Sequence, residues 1–319
     1  MVTETDGLGA FDQRVYQALS ATATKYYRET LNRSNLIPMA TTPGLDQEEY
    51  KKPIFLDTKG IKGGTSYSDD GGRATTGKRN RLYELGTVYM GIYYGPDEIM
   101  LEGQYLAQSK QEKMEAFART IDLSLWKGVY ANGYNAAGVG QGTQQVDGIL
   151  DQAGTVTALN GTDSTLNAQG DVFKALTKMV NSIPFRYRDG REMVIGMTSN
   201  FFAKANGSLF TFDGGATEWM TFFDQFITRG VAGFKVSPNV IVSDEVFTFG
   251  TDTGGETDDR LFIMIPAPGL IERAFSRKMG LMGSVPARFG GIDQGWGSKL
   301  RGCVHDDEAV LYSEPITWA

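Results

Sequence analysis

The chain has 319 residues, 41% of them hydrophobic, and a formal net charge of -7 at pH 7. This length and apolar content predict a sizeable core and two lobes rather than one. The acidic balance argues against a nucleic-acid reader, because the binding face of such a protein carries a basic excess.

A single histidine, His305, and a single cysteine, Cys303, limit the chemistry available to the chain. One cysteine excludes an intramolecular disulfide, and the two residues give little support to a tetrahedral zinc site or a histidine-activated nucleophile. His305 is followed by three acids in residues 306–308, so a metal ligand or orienting base is one interpretation. The apolar run at residues 310–312 favours a solvated turn between two late strands, which we expect.

The sequence contains no segment that indicates secretion or a membrane. The N-terminus lacks the basic and apolar regions of a signal peptide. The longest apolar stretch, residues 261–271, is too short to span a bilayer and is interrupted by Pro266 and Pro268. We therefore expect no membrane partner.

The pattern of apolar residues over 10–32 predicts that the first element is an amphipathic arm helix. Its apolar residues recur at nearly helical spacing among glutamine, threonine and charged residues: Phe11, Val15, Leu19, Tyr26 and Leu31. Pro38 lies just beyond this helix, and a charged linker follows at residues 46–52.

Residues 53–95 predict an extended two-stranded arm. Strand-like runs at 54–56 and 82–94 flank residues 59–81, which are rich in glycine, serine, threonine and charge. The predicted tip carries four basic residues, Arg73, Lys78, Arg79 and Arg81. A nucleic-acid contact is one interpretation, but acids lie close by and no aromatic residue is interleaved. We favour an assembly surface that pairs with an acidic neighbouring subunit.

Residues 97–130 predict the longest helix. Pro96 precedes it, and two acids in its first turn suit the helix dipole. The helix carries a narrow apolar stripe about 45 Å long. This stripe comprises Ile99, Leu106, Met114, Phe117, Ile121, Leu125 and Val129. We expect water or a partner chain on the opposite face, and Gly133 and Gly138 to end the helix.

Residues 151–284 predict a lobe of mixed helices and strands. The pattern indicates a helix at 171–183, a helix capped by residues 198–200, and buried strands at 193–197, 240–242 and 261–265. The acidic loop at residues 250–259 is compatible with calcium or with a solvated hairpin tip. Its spacing does not match the twelve-residue calcium loop, which favours the hairpin tip.

Two further groups of residues have more than one interpretation. Aromatic residues at 210–226, among them Trp219, Phe222 and Phe223, indicate either core or a subunit contact. Paired acids can perform general acid and base catalysis. The candidate pairs are Asp244 with Glu245 and Asp306 with Glu308. Adjacent acids on a strand point to opposite faces, which disfavours the first pair.

The order of these elements resembles the major capsid protein of tailed viruses with the HK97-like fold. Local sequence is similar too, in Leu125-Trp126-Lys127-Gly128 and in residues 146–150 and 233–238. The resemblance implies an α+β fold with four parts. These are an N-terminal arm (1–50), an E-loop hairpin (51–96), a P-domain with a long spine helix (97–150 and 285–319) and an A-domain (151–284).

The resemblance further implies pentamers and hexamers that form an icosahedral shell around double-stranded DNA, in a virion assembled in the host cytoplasm. We expect no enzymatic activity, no cofactor and no metal, and as partners copies of the chain, a separate scaffolding protein and a portal. Some members crosslink an E-loop lysine to a late asparagine; no asparagine follows Asn239, so we expect no crosslink. The alternatives are an encapsulin-type nanocompartment shell and, from another class, a carboxylate-dependent hydrolase.

Overall fold

The computed structural model describes residues 36–40, 47–59, 75–96, 104–167, 171–187, 192–210, 235–248, 259–286 and 291–319. The helices are α1 (Gln104–Lys127), α2 (Ile149–Gln152), α3 (Asp171–Ser182), α4 (Ser199–Phe210) and α5 (Asp244–Phe247). The strands are β1 (Glu49–Lys59), β2 (Thr75–Glu84), β3 (Gly86–Tyr94), β4 (Val129–Tyr130), β5 (Gln144–Val146), β6 (Gly154–Val156), β7 (Thr165–Leu166), β8 (Glu192–Met197), β9 (Lys235–Val242), β10 (Leu261–Met264), β11 (Ile271–Pro286), β12 (Ile292–Val304), β13 (Val310–Ser313) and β14 (Thr317–Trp318). The predicted arm helix at residues 10–32 lies outside the described residues.

Strands β1 and β2 pair antiparallel as a two-stranded sheet of their own, which confirms the predicted two-stranded arm. The prediction of one strand over residues 82–94 was wrong, because the chain changes partner at Leu85. Before Leu85 the strand pairs with β1, and after it β3 pairs with β12. Burial of Leu85, whose N–H donates to the Glu48 carbonyl, fixes this break.

Helix α1 packs against one face of a three-stranded sheet whose order is β11-β12-β3. Buried and exposed residues largely alternate along β3, so one face of this strand points to the helix and the other outward. The shared core contains Val88, Ile92, Tyr94, Met114, Phe117, Ile121, Leu125, Val129, Val146, Phe275, Trp296 and Leu300. Four members of the predicted helix stripe therefore lie in this core, and Val129 joins it from β4.

The C-terminal end of α1 is buried on all sides. Residues 121–129 are all buried, so the prediction of a narrow apolar stripe was wrong for this end of the helix. A second core covers the opposite face, where the Trp126 ring meets Phe247 and Phe262 edge to face at 5.9 and 5.3 Å. The helix is thus shared between two cores.

The second core lies against a five-stranded sheet with the order β6-β13-β10-β8-β9. Helices α3 and α4 pack on one face of this sheet, and α2, α5 and the end of α1 pack on the other. Helix α3 confirms the prediction at residues 171–183, and β8 confirms the buried strand at 193–197. Thr198 caps α4 as predicted, since its hydroxyl oxygen accepts the Phe201 N–H at 3.2 Å.

Three sequence predictions about element ends were wrong. Helix α1 ends before Gly128, whose φ of 95° stops it, rather than at Gly133 or Gly138. Residues 146–150 do not form one strand, because β5 ends at Val146 and helix α2 begins at Ile149. Strand β2 begins at Thr75, so most of the basic residues expected in a loop tip are paired with β1.

Replacing Gly128 by alanine will destabilise the fold more than replacing Gly133. Both glycines have positive φ, which costs alanine about 1–2 kcal/mol. A Cβ at Gly128 would also lie 2.3 Å from the Val146 carbonyl oxygen, whereas one at Gly133 meets nothing within 4 Å. We expect Gly128→Ala to lower the free energy of unfolding by at least about 1 kcal/mol more than Gly133→Ala, measured by urea denaturation. Equal losses would contradict the close contact at Gly128.

Candidate functional site at the base of the hairpin

The hairpin of β1 and β2 is held to the rest of the chain at its base. Tyr50, Tyr83 and Leu85 form a small buried cluster there with Ala274 and Cys303 of strands β11 and β12. Among the described strands, none besides β1 and β2 joins this sheet. These contacts fix the base of the hairpin, and we name their polar part the hairpin anchor: Tyr50, Lys52, Tyr83, Glu272 and His305.

The Glu272 carboxylate is the centre of the hairpin anchor. Its side chain is only 4% exposed, although it is charged. Tyr50 donates its hydroxyl to Oε2 at 2.8 Å, the Lys52 ammonium donates to Oε1, and the Gly269 N–H donates to Oε1 at 3.0 Å. His305 Nε2 lies 3.2 Å from Oε2. A buried carboxylate needs this many partners, because an unpaired buried charge is strongly destabilising.

Tyr83 and His305 are hydrogen-bonded to one another. The Tyr83 hydroxyl lies 2.8 Å from the Val304 carbonyl oxygen and 2.7 Å from His305 Nδ1. A neutral imidazole that donates from Nε2 to Glu272 must accept the Tyr83 proton at Nδ1. A protonated imidazole donates from both nitrogens, and Tyr83 then donates to Val304 instead. The direction of the tyrosine hydrogen bond thus follows the charge of His305.

The environment shifts the pKa values of the anchor. Burial acts to raise the pKa of Glu272, but the hydrogen bonds from Lys52, Tyr50 and His305 outweigh it and leave that pKa below its usual value. Burial lowers the pKa of His305 by more than the hydrogen bond and charge of Glu272 raise it. Burial also raises the pKa values of the Tyr50 and Tyr83 hydroxyls, so both stay neutral at physiological pH.

His305 was expected in a solvated turn, and that prediction was wrong for its side chain. The residue does follow β12 in a bend, but its side chain is 3% exposed and lies against Tyr83 and Glu272. The sequence gives no sign that residues 222 positions apart meet here. Glu272 was missed as well, because β11 also contains Arg273, Arg277 and Lys278, so one more charged residue there gives no signal of burial.

A buried cation, Lys127, holds the end of α1. Lys127 Nζ donates to the carbonyl oxygens of Gly138 and Thr248, at 2.9 and 2.8 Å. Burial lowers the pKa of Lys127 to about 8. About two turns earlier on the helix, Arg119 pairs with Glu245 at 3.1 Å and donates to the Ala136 carbonyl at 2.8 Å. Polar residues of α1 therefore hold the β4–β5 connection and helix α5 in place.

The predicted assembly residues are only partly described. Arg81 donates to the His305 carbonyl oxygen at 3.0 Å and lies over the Tyr83 ring, so it contacts the hairpin anchor of its own chain. Lys78 and Arg79 lie on β2 opposite Phe55 and Ile54. Arg73, Trp219, Phe222 and Phe223 lie outside the described residues. Their role in assembly stays a prediction.

The acid pairs considered for catalysis have structural partners. Asp244 accepts the Ser199 N–H at 2.6 Å, and Glu245 pairs with Arg119. These two acids begin helix α5, so their expected placement on a strand was wrong. Asp306 accepts the Tyr187 hydroxyl and Glu308 pairs with Arg186.

The calcium interpretation rests on a loop of which only Asp259 is described. That carboxylate is buried and accepts the Thr198 hydroxyl and the Trp318 indole N–H, both at 2.6 Å. In the described part of the chain, no group of three or more histidine, cysteine and acidic residues is placed to hold a metal ion. None of the described helices is both long and apolar enough to cross a membrane.

Comparison with known proteins identifies the fold. No family model and no curated protein sequence matches the chain. The capsid of Myoviridae phage XM1 is 13% identical with a TM-score of 0.61, covering 90% of this chain and 92% of that one. A structure from Gordonia phage Cozz is 14% identical with a TM-score of 0.57, covering 90% and 85%. The SrpI encapsulin from Synechococcus elongatus is 10% identical with a TM-score of 0.52, covering 89% and 87%.

These similarities define the class of fold. The chain has the mixed helix-and-sheet, HK97-like fold of phage capsid proteins, which an encapsulin shares. The resemblance stated from the sequence is therefore confirmed at the level of the fold. At these low identities the similarity extends to the fold alone.

Replacing Glu272 by glutamine will loosen the hairpin. The amide removes the negative charge that Lys52 and His305 face, and breaking a buried pair of this kind costs roughly 3 kcal/mol or more. Glu49→Gln is the matched control, because Glu49 pairs with Lys51 at 3.8 Å in an exposed position and such pairs contribute little. Urea denaturation measures both losses. Similarly small losses of unfolding free energy in the two variants would show that the charge of Glu272 does not stabilise the hairpin.

Acidification will weaken the anchor. The pKa values of His305 and Glu272 are both lowered in the folded state, so the unfolded chain binds more protons as the pH falls. The free energy of unfolding should therefore decline from about pH 6.5 for His305, and further below about pH 4.3 for Glu272. His305→Asn keeps a donor and an acceptor without titrating, so its decline between pH 7 and pH 5 should be smaller. If the unfolding free energies of the wild type and of His305→Asn depended on pH in the same way, His305 would not be the group responsible for the decline.

Proposed function

We propose that this chain is the major capsid protein of a tailed double-stranded DNA virus. It assembles into pentamers and hexamers that form an icosahedral shell around packaged DNA. The observation that carries the proposal is the hairpin of β1 and β2, a two-stranded sheet anchored at its base to β11 and β12, on a body with the HK97-like fold. A two-stranded hairpin is marginally stable by itself, so contact with a neighbouring copy in a shell would stabilise it.

In this proposal each part of the chain has a place in the shell. The hairpin of β1 and β2 is the E-loop of residues 51–96, which overlaps an adjacent subunit. Helix α1 is the spine helix of a P-domain formed by residues 97–150 and 285–319. Residues 151–284 form the A-domain, and residues 1–50 form the N-terminal arm. The C-terminal end of α1 supports this assignment, because a helix end packed into two cores is held rigidly.

The proposed partners follow from this role. They are copies of the chain, a separate scaffolding protein and a portal, in a virion assembled in the host cytoplasm. A net charge of -7 suits a wall that encloses DNA without sequence-specific binding, since like charges limit adhesion to the phosphates. The role is structural and requires no enzymatic activity and no cofactor.

An encapsulin-type nanocompartment shell is the second candidate. Similarity to the SrpI encapsulin over 89% of this chain favours it, and the fold by itself serves both kinds of shell. The contents of native particles distinguish the two, because a capsid contains DNA and a nanocompartment contains a protein cargo. An absorbance ratio of 260 to 280 nm typical of nucleic acid would exclude the nanocompartment.

Electron microscopy of the purified chain tests the shell itself. Negative-stain images, with light scattering for mass, should show closed shells or rings of five and six subunits. A mixture with a coexpressed scaffolding protein is the second arm, because scaffold-dependent capsid proteins assemble poorly alone. A particle of 34.9 kDa under both conditions, the mass of one chain, would overturn the proposal.

A further inference from the structure

The contacts at the base of the hairpin are separate from those that hold the rest of the fold together. The apolar part of the base is the small cluster that contains Tyr83, Leu85 and Cys303. No described residue of β1 or β2 belongs to any of the three larger apolar cores. Supersecondary units of this kind open locally while the rest of a protein stays folded. The base of the hairpin can therefore separate from β11 and β12 without unfolding those cores.

Three charged groups face the His305 imidazole from the strands packed against it. Glu272 lies on β11, Lys52 on β1 and Arg81 on β2. While the imidazole is neutral, the single carboxylate faces two cations. A proton on His305, whose side chain is 3% exposed, adds a third positive charge at this site. Unbalanced charge in a buried cluster is destabilising, so protonation favours a state in which these groups reach water.

The other polar groups of the cluster do not offset the added charge. Cys303 of β12 stays neutral because burial raises the pKa of its thiol to about 12, and Arg301, which lies over the Tyr83 ring, is a further cation. Hydrogen bonding does not distinguish the two states of His305. The Tyr83 hydroxyl can accept from a protonated Nδ1 and donate to the Val304 carbonyl oxygen. Charge and burial, rather than a lost hydrogen bond, therefore decide how the anchor responds to a proton.

We propose that the hairpin anchor is a proton-operated latch, in which protonation of His305 releases the base of the β1–β2 hairpin from β11 and β12 while the rest of the fold stays intact. In the closed state, the Glu272 carboxylate binds Tyr50, Lys52 and His305. In the open state, Lys52 and His305 carry their charges in water. The latch is a property of one chain and does not rest on the proposed shell function.

The direction of the response follows from burial. Burial lowers the pKa of His305 in the closed state, so the open state, in which the imidazole reaches water, binds a proton more readily. Opening is therefore favoured as the pH falls below about 6.5, the ordinary pKa of histidine, and levels off below the pKa of the closed state. His305 is the only histidine in the chain, so no other imidazole titrates in this range.

The only cysteine in the chain reports whether the latch is open. Cys303 is 0% exposed and is covered by Tyr50, Tyr83 and Leu85 at the base of the hairpin. A pyridyl disulfide, which reacts with thiols at acidic pH, reaches the Cys303 Sγ when the base moves away. The labelling rate divided by that of the urea-unfolded chain at the same pH measures the open fraction. Subunits and assembled particles are separated by size after labelling, so a change of assembly does not enter this ratio.

The labelling ratio of the wild type should rise several-fold between pH 7.5 and pH 5, with about 30-fold as the limit set by a free imidazole. His305→Asn should remove this pH dependence, whereas a purely structural role of His305 would change the ratio equally at both pH values. Glu49→Gln, at an exposed position of β1, is the matched control and should respond like the wild type. A wild-type ratio that does not change with pH, or the same change in His305→Asn, would overturn the latch.

Hydrogen exchange of the wild type decides the question if His305→Asn does not fold. A detached two-stranded hairpin is marginally stable, so amides of Glu49–Lys59 and Thr75–Glu84 should lose protection at pH 5 after correction for the intrinsic exchange rate. Amides of residues 121–127, at the buried end of α1, should keep theirs. Equal losses in both regions would indicate destabilisation of the whole fold and would overturn the latch, leaving the shell function to its own test.

Discussion

The burial of the last turns of α1 between two sheets is the constraint on which the fold depends. Leu125 faces the three-stranded sheet, and Trp126 faces the five-stranded sheet. A helix end buried on both sides has unpaired carbonyl groups and charged side chains that cannot reach water. Gly128 turns the chain away at once, and the Lys127 ammonium binds two carbonyl oxygens from other segments. The polar and apolar side chains of this helix turn thus connect the three-stranded sheet with the five-stranded sheet.

The hairpin of β1 and β2 is held in place by different interactions from those that bury the end of α1. Its base is held by a buried carboxylate and the groups that donate to it, together with a small apolar cluster. Such a polar cluster is stable only when each member has its partner, so it is sensitive to pH and to single substitutions. A subunit of the proposed shell would benefit from this division, because a stiff body would fix the shell geometry while the arm keeps a defined direction.

Sequence patterns predicted the elements that depend on local periodicity. The long helix, the α3 helix and the buried β8 strand are where the patterns indicated, and the two-stranded arm is present with a different second strand. The ends of the elements were less predictable, because tertiary contacts decide them. Leu85 breaks a continuous strand pattern by changing its partner, and the α1 helix stops at the first glycine rather than at later ones. Nothing in the local sequence distinguishes these alternatives.

The sequence by itself determined the distribution of charge along the chain. The chain as a whole is acidic, β3 carries no charged residue, and the arm carries basic residues. These properties are local and need no knowledge of partners. Only the tertiary structure decided that Glu272, Tyr50 and His305 meet. Tyr50 and Glu272, which bond directly, lie 222 positions apart in the chain. Their meeting depends on strand register and sheet order, which are properties of the whole fold.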